Sequence, residues 1–119
     1  MKKLFRVITL TSLIFLFVGL YLSCSTKSPP TLNSITTRPT GGISSAINYT
    51  YPITVTAYYA DGSSKNITLL STYVSSNESI ATVTNNGEVK GISPGSAQIT
   101  VSYTENGITK TSMFPTIWW

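Results

Sequence analysis

The 119-residue chain has no histidine and a single cysteine, and only 10% of its residues are charged. Without histidine it lacks the side chain that most often moves protons near neutral pH. Four acids are scattered along the chain: Asp61, Glu78, Glu88 and Glu105. A calcium site takes about six to eight oxygen ligands, several of them from carboxylates. We therefore expect no enzymatic activity, no cofactor and no metal site.

The start of the chain has the order of a secretory signal. Lys2, Lys3 and Arg6 form a cationic beginning, an apolar stretch occupies residues 7–22, and small residues follow. The apolar stretch is marginal against the roughly 20 residues that a membrane-spanning helix needs. We predict a lipoprotein-type signal peptide over residues 1–23, with an uncleaved membrane anchor as one alternative.

The single cysteine stands directly after this segment, so it has no partner for a disulfide bond. The sequence Tyr21-Leu22-Ser23-Cys24 resembles the lipobox of bacterial lipoproteins, in which the cysteine is acylated and becomes the new N-terminus. Ser23 fits that pattern, whereas Tyr21 stands where an aliphatic residue is usual. The resemblance implies a lipid anchor, such as palmitate, on Cys24. Ordinary cleavage after Ser25 is the other alternative.

The basic net charge belongs mainly to the signal segment. The chain has eight Lys and Arg against four Asp and Glu, which gives +4. Removal of Lys2, Lys3 and Arg6 leaves five against four, or about +1. Basic patches with interleaved aromatics are absent, so we expect no nucleic-acid partner.

Residues 24–31 form a short Ser/Pro linker, and residues 32–114 show the alternation of β-strands. Strands are predicted at 32–37, 53–59, 79–84, 88–90, 97–103 and 108–114, with short segments at 47–50, 65–70 and 71–75. Turns are predicted at Asp61-Gly62, Asn86-Gly87 and Asn106-Gly107. Pro115 places the chain there at a sheet edge or past the last strand, and residues 115–119 form an aromatic tail.

The order of these strands and turns resembles the group 2 bacterial immunoglobulin-like domains over about residues 32–112. The matching residues are Thr54-Val55-Thr56-Ala57, Asp61-Gly62, Ser75-Ser76-Asn77, Ile80-Ala81-Thr82-Val83, Gly87-Glu88-Val89, Gly91 to Gly95, and Ala97-Gln98-Ile99-Thr100. One departure is Tyr73, where the family usually has a tryptophan, and its hydroxyl needs a partner. The resemblance implies an all-β fold: an immunoglobulin-like Greek-key β-sandwich of about seven short strands, preceded by the signal segment.

Members of the family occur in intimin- and invasin-type adhesins and in other surface proteins, as spacers or as binding modules. We therefore expect an exported lipoprotein of the cell envelope, at the outer membrane or surface, that binds a protein or glycan without covalent chemistry. The alternatives are a structural spacer, an accessory subunit of an envelope assembly, or a truncated member of a longer array. The candidate contacts are residues 40–50, Trp118 and Trp119; the tryptophans would otherwise fold back on the sandwich or lie at a membrane interface.

Overall fold

The structure, a computed structural model, describes residues 28–119. In that part of the chain every regular element is a strand except a short 3₁₀ turn at Thr68–Leu70. The strands are β1 (Leu32–Arg38), β2 (Ile43–Ser45), β3 (Thr50–Pro52), β4 (Thr54–Tyr59), β5 (Ser64–Asn66), β6 (Thr72–Ser75), β7 (Ala81–Val83), β8 (Glu88–Gly91), β9 (Gly95–Glu105) and β10 (Ile108–Trp118). The predicted all-β fold is confirmed, with ten strands in place of about seven.

Two layers form an immunoglobulin-like sandwich. The first layer contains two three-stranded sheets, in the orders β1-β4-β5 and β3-β8-β7. Only Ile53 separates β3 from β4, and its N–H donates to the Gly87 carbonyl at 2.7 Å, so the two sheets continue into each other. The second layer is one sheet in the order β2-β10-β9-β6, in which β2 runs parallel to β10.

The core lies between these layers because alternate residues of the facing strands point inward. In β4 the buried residues are Val55, Ala57 and Tyr59. In β9 they are Ala97, Ile99, Val101 and Tyr103. The period of two that predicted these strands therefore also predicted which of their faces is buried.

The longest pairing in the described chain is the hairpin of β9 and β10, in register from Glu105↔Ile108 to Gly95↔Trp118. Its two-residue turn has φ of 50° at Asn106 and 78° at Gly107. Positive φ at both positions is the geometry that asparagine and glycine adopt most readily, and its twist matches that of the flanking strands. The turn predicted at Asn106-Gly107 is confirmed.

The last strand does not end near Phe114, as we expected, but continues to Trp118. Proline has no N–H to donate, so it is tolerated where one side of a strand is unpaired. Parallel pairing with β2 starts only at Thr116, and Pro115 therefore lies on the free edge of β10. Of the two positions predicted for Pro115, the one at a sheet edge is correct, and the one past the last strand is wrong.

Two further differences between the predicted and the observed structure are in short segments. Residues 47–50, predicted as a brief strand, contain a turn at Ile47 and Asn48, with φ of 72° at Asn48, and join β3 only at Thr50. The 3₁₀ turn, Thr68–Leu70, ends the segment predicted as 65–70. The Tyr73 hydroxyl has the partner it needs, because it donates to the Thr68 carbonyl at 2.6 Å.

Candidate functional site

The side of the four-stranded sheet that points away from the core carries no charged residue on its strands. We call this side the outer face. Along β9 its residues are Ser96, Gln98, Thr100, Ser102 and Thr104. The flanking strands add Ser44 of β2 and Thr72 and Val74 of β6. The outer face is therefore built from hydroxyl, amide and apolar groups.

The second half of β10 and the residue after it add a row of apolar side chains to the outer face. Met113, Pro115, Ile117 and Trp119, which we call the apolar stripe, stand at every second position. Met113, Ile117 and Trp119 are 61%, 52% and 63% exposed. Val74 is 63% exposed and extends this surface sideways, because Thr100 of β9 pairs with both Val74 and Met113. Adjacent exposed apolar side chains of this size mark a candidate contact surface.

The backbone of Trp119 is fixed at the end of the stripe. Its N–H donates to the Ser45 carbonyl at 3.2 Å, and its carbonyl accepts from the Ile47 N–H at 3.0 Å. Both partners belong to β2 and the turn after it. The indole of Trp119 is therefore presented on an ordered backbone.

Trp118 points the other way and is only 2% exposed. Its ring packs on Gly91 of β8 and lies near Tyr51 of β3, with the two aromatic centroids 6.2 Å apart and tilted by 56°. The Tyr51 hydroxyl shares a 2.9 Å hydrogen bond with the Ser45 hydroxyl. The buried indole N–H of Trp118 has no hydrogen-bond partner within the described residues. The two candidate tryptophans therefore separate, one into the core and one onto the surface.

Gly91 makes this burial of Trp118 possible. A Cβ at position 91 would overlap three atoms of the Trp118 ring. Because only glycine leaves that space, the backbone of β8 can approach the flat face of the indole. Gly91 therefore forms the surface of β8 on which the Trp118 ring packs.

The outward side of the other layer differs in charge. Arg38 of β1 and Glu88 and Lys90 of β8 are all exposed there. The same side of β1 also carries the exposed Thr36. The two broad surfaces of the sandwich are therefore chemically distinct, one uncharged and one with both signs of charge.

The predicted contact loop, residues 40–50, is only partly available for binding. Ile43 and Ser45 of β2 are buried, whereas Tyr49 is 62% exposed. The N–H of Asn48 donates to the Gly91 carbonyl at 2.9 Å, which fixes the turn against β8. Of this loop, Tyr49 is the large apolar side chain that the structure leaves on the surface.

The opposite end of the sandwich, beside the linker, holds a shallow cavity of about 340 Å³. It is lined by Pro29, Pro30, Tyr59, Ser63, Ser64, Lys65, Glu105 and Asn106. Burial raises the pKa of Tyr59 well above its ordinary value, and hydrogen bonding with Glu105 and Tyr103 raises it further. One carboxylate oxygen of Glu105 is buried without a partner in the described chain.

The segment Gly91-Ile92-Ser93-Pro94-Gly95 has the spacing Gly-x-Ser-x-Gly of hydrolase nucleophile elbows. Here it connects two strands, whereas an elbow connects a strand to a helix. The Ser93 hydroxyl donates to the Ser79 carbonyl at 2.6 Å, and the chain has no histidine to act as its base. The geometry does not support a catalytic role for Ser93.

The predicted signal peptide (residues 1–23) and lipid site (Cys24) lie outside the described residues. Within residues 28–119, no three His, Cys, Asp or Glu side chains lie close enough together to hold a metal ion. The same range contains no helix that is long and apolar enough to cross a membrane.

Comparison with known families supports the resemblance stated above. The family of bacterial immunoglobulin-like domains, group 2, matches residues 32–112. No curated protein matches the chain. The predicted family and the predicted extent of the match are confirmed. The apolar stripe was missed by the sequence analysis, although the alternation at positions 113, 115, 117 and 119 carried its signal.

Proposed function

Because the chain belongs to the group 2 bacterial immunoglobulin-like domains, we propose that it is an envelope lipoprotein whose single module binds another protein through the outer face. Domains of this family are non-catalytic binding modules. The proposed activity is adhesin-like: contact without bond making, at the outer membrane or cell surface.

The exposed stripe of Met113, Pro115, Ile117 and Trp119 is the observation that supports this function most directly. Large apolar and aromatic side chains are enriched at the centres of protein interfaces, and charged residues are depleted there. The outer face combines both properties. It also rests on paired strands, so little conformational entropy is lost when a partner binds.

The positions of the linker and the stripe favour a protein partner over a lipid one. Pro29 and Pro30 lie beside Asn106, at the start of β10, whereas Trp119 follows its last residue. A strand of 11 residues spans about 35 Å at roughly 3.3 Å per residue. If Cys24 anchors the linker in a membrane, Trp119 lies on the end of the module away from that membrane.

The lipid part of the proposal is tested on the full chain expressed in a bacterial host. We expect metabolic labelling with a palmitate analogue in the parent chain and its loss in Cys24→Ala. Mass spectrometry of the mature N-terminus separates the alternatives, because cleavage after Ser25 or an uncleaved segment each gives a different mass. Label that survives Cys24→Ala would contradict the assignment of the lipid to this residue.

The binding part is tested by photo-crosslinking in the same cells. A benzoylphenylalanine in place of Ile117 should give a protein adduct on irradiation. The same probe in place of Thr36 is the matched control, because Thr36 is exposed on the opposite layer. Equal adduct yields at the two positions would contradict a binding role for the outer face.

A structural spacer or accessory subunit is the second candidate function. The separation of Pro29 and Trp119 to opposite ends of β10 favours it, since modules entered at one end and left at the other can stand in line. A spacer needs no saturable ligand. If position 117 gives no adduct while the lipid label is intact, the result favours a structural spacer or accessory subunit. It would equally favour a member of a longer array.

A further inference from the structure

We infer that the partner covering the outer face is a second copy of this chain, paired through the apolar stripe about a two-fold axis. This inference rests on the proposed function, because it names the occupant of the same face. In such an isologous contact each surface meets its own duplicate, and the face must therefore be complementary to itself.

The chemistry of the outer face meets that condition. At their outward positions its strands carry no Asp, Glu, Lys or Arg, so two copies meet without like-charge repulsion. Hydroxyl groups such as those of Thr109 and Thr111 on β10 both donate and accept hydrogen bonds, and they can therefore pair with their own duplicates.

The area of the face also fits a weak, specific pair. The strands β9 and β10 have 11 residues each, and β6 and β2 add four and three residues at their sides. At about 3.3 Å per residue and 4.8 Å per strand, these cover roughly 450 Å² of sheet in each copy. Pairing through the stripe centres the contact on β10, so only part of this face is covered, and the total buried area of two copies stays below about 1,000 Å², in the range of weak contacts.

The direction of the axis follows from the proposed anchor. Two copies held in one membrane enter it from the same end of their modules, the end that carries Pro29 and Pro30. A two-fold axis parallel to the strands keeps the linkers of both copies at the same end of the pair. It also makes the two apolar stripes run in the same direction. Met113 then meets the Met113 of the second copy, and Ile117 meets its Ile117.

Membrane attachment favours such a pair even though its area is small. Tethering two modules to one surface by short linkers raises their effective concentration, and a contact that is weak in solution then becomes populated. The face is thus expected to pair on the membrane and to separate when the anchor is removed and the chain is dilute.

Disulfide crosslinking in intact cells tests the inference on the full chain. Met113→Cys and Ile117→Cys are expressed separately, each as two copies with different tags, and the cells are oxidised. We expect both variants to form a dimer that contains both tags. The two positions are about 13 Å apart along the strand, so an axis across the strands brings at most one of them onto itself.

Two controls keep the result specific. The parent chain shows whether Cys24 crosslinks by itself, and Thr36→Cys reports random collisions from the opposite layer. Adding Ile117→Asp to Met113→Cys places two like charges in the contact and should lower the dimer yield about fivefold or more. Thermal unfolding of Ile117→Asp should match the parent chain, which separates loss of contact from loss of fold.

The outcomes separate this inference from the proposed function. If positions 113 and 117 form adducts with a different protein, the inference of self-pairing is wrong, but the proposed binding function of the outer face is supported. The inference of self-pairing would also be wrong if neither cysteine variant forms a dimer, or if Thr36→Cys forms as much dimer as they do. A dimer without any lipid label would support the pairing and contradict the anchor.

Discussion

The two sides of the last half of β10 are nearly equal in hydropathy and opposite in environment. On the inward side, Phe114 and Trp118 are 1% and 2% exposed. On the outward side, Ile117 and Trp119 are 52% and 63% exposed. Residue type alone therefore does not separate the core from a contact surface along this strand.

The difference lies in what stands across from each side. Trp118 meets Gly91 and Tyr51 of the facing layer, whereas the side chain of Trp119 is 63% exposed at the surface. Since side chains alternate along a strand, a shift of one residue in the pairing with β9 would exchange the two sides. The β9–β10 turn at Asn106-Gly107 fixes that pairing and thereby decides which tryptophan is buried.

The strongest test of this comparison is to truncate each tryptophan. Trp118→Ala removes a fully enclosed ring and should lower the free energy of unfolding by about 3–5 kcal/mol. Trp119→Ala should change it by less than about 0.5 kcal/mol, because that side chain is exposed. Urea unfolding of both variants measures the difference. Similar losses would mean that Trp119 also packs in the folded core.

Gly91→Ala tests the same packing contact from the side of β8. A Cβ there overlaps the Trp118 ring and should cost about 2–3 kcal/mol, since a packed core resists an added methyl group. Gly41→Ala is the matched control, because a Cβ at Gly41 meets nothing within 4 Å. Thermal unfolding should show a clear drop for the first variant only. An unchanged Gly91→Ala would contradict the close packing of β8 on Trp118.

A smaller effect is expected where the inward side of β10 carries a hydroxyl. Thr116 is fully buried, and its hydroxyl donates to the Ala97 carbonyl at 2.9 Å. Thr116→Val removes that hydrogen bond and should lower stability by about 1 kcal/mol. Thr111→Val, on the outward side, is the control and should be near neutral. A stabilised Thr116→Val would show that the hydrogen bond adds nothing net to the fold.

The smallest effect is expected for Ile117→Thr on the outward side. Threonine keeps the β-branched shape that strands favour, so the unfolding free energy should move by less than about 0.5 kcal/mol. The crosslinked dimer should nevertheless weaken, because the stripe loses part of its apolar surface. Measured together, the two readouts separate stability from contact. A large loss of stability would mean that Ile117 belongs to the core.

The parts of the fold that the sequence predicts best are those with a clear period and a clear turn. Residues 53–59 and 97–103 alternate strictly, and their buried faces follow from that alternation. Strand β2 gave no such signal, because three residues, Ile43 to Ser45, are too few to show a period. Its pairing with β10 comes from a distant part of the chain, which local pattern does not reveal.

The candidate site was harder to predict because it depends on one proline. Pro115 ends a strand in most contexts, and an end at Phe114 would leave both tryptophans in a tail of undefined direction. Once β10 continues past Pro115 along a free edge, alternation assigns Trp118 to the core and Trp119 to the surface. The sequence therefore indicated Trp118 and Trp119 as candidates, but their separation into one buried and one exposed residue required the tertiary pairing.

The placement of the two tryptophans gives this protein two built-in optical reporters. They are the only tryptophans in the chain, and they are adjacent. The enclosed, unbonded indole of Trp118 should fluoresce at short wavelength and change only on unfolding. The exposed indole of Trp119 should fluoresce at longer wavelength, and a neutral quencher should reach it until a partner covers the outer face. One spectrum can therefore follow folding and contact as separate signals, with Trp118→Phe and Trp119→Phe to assign them.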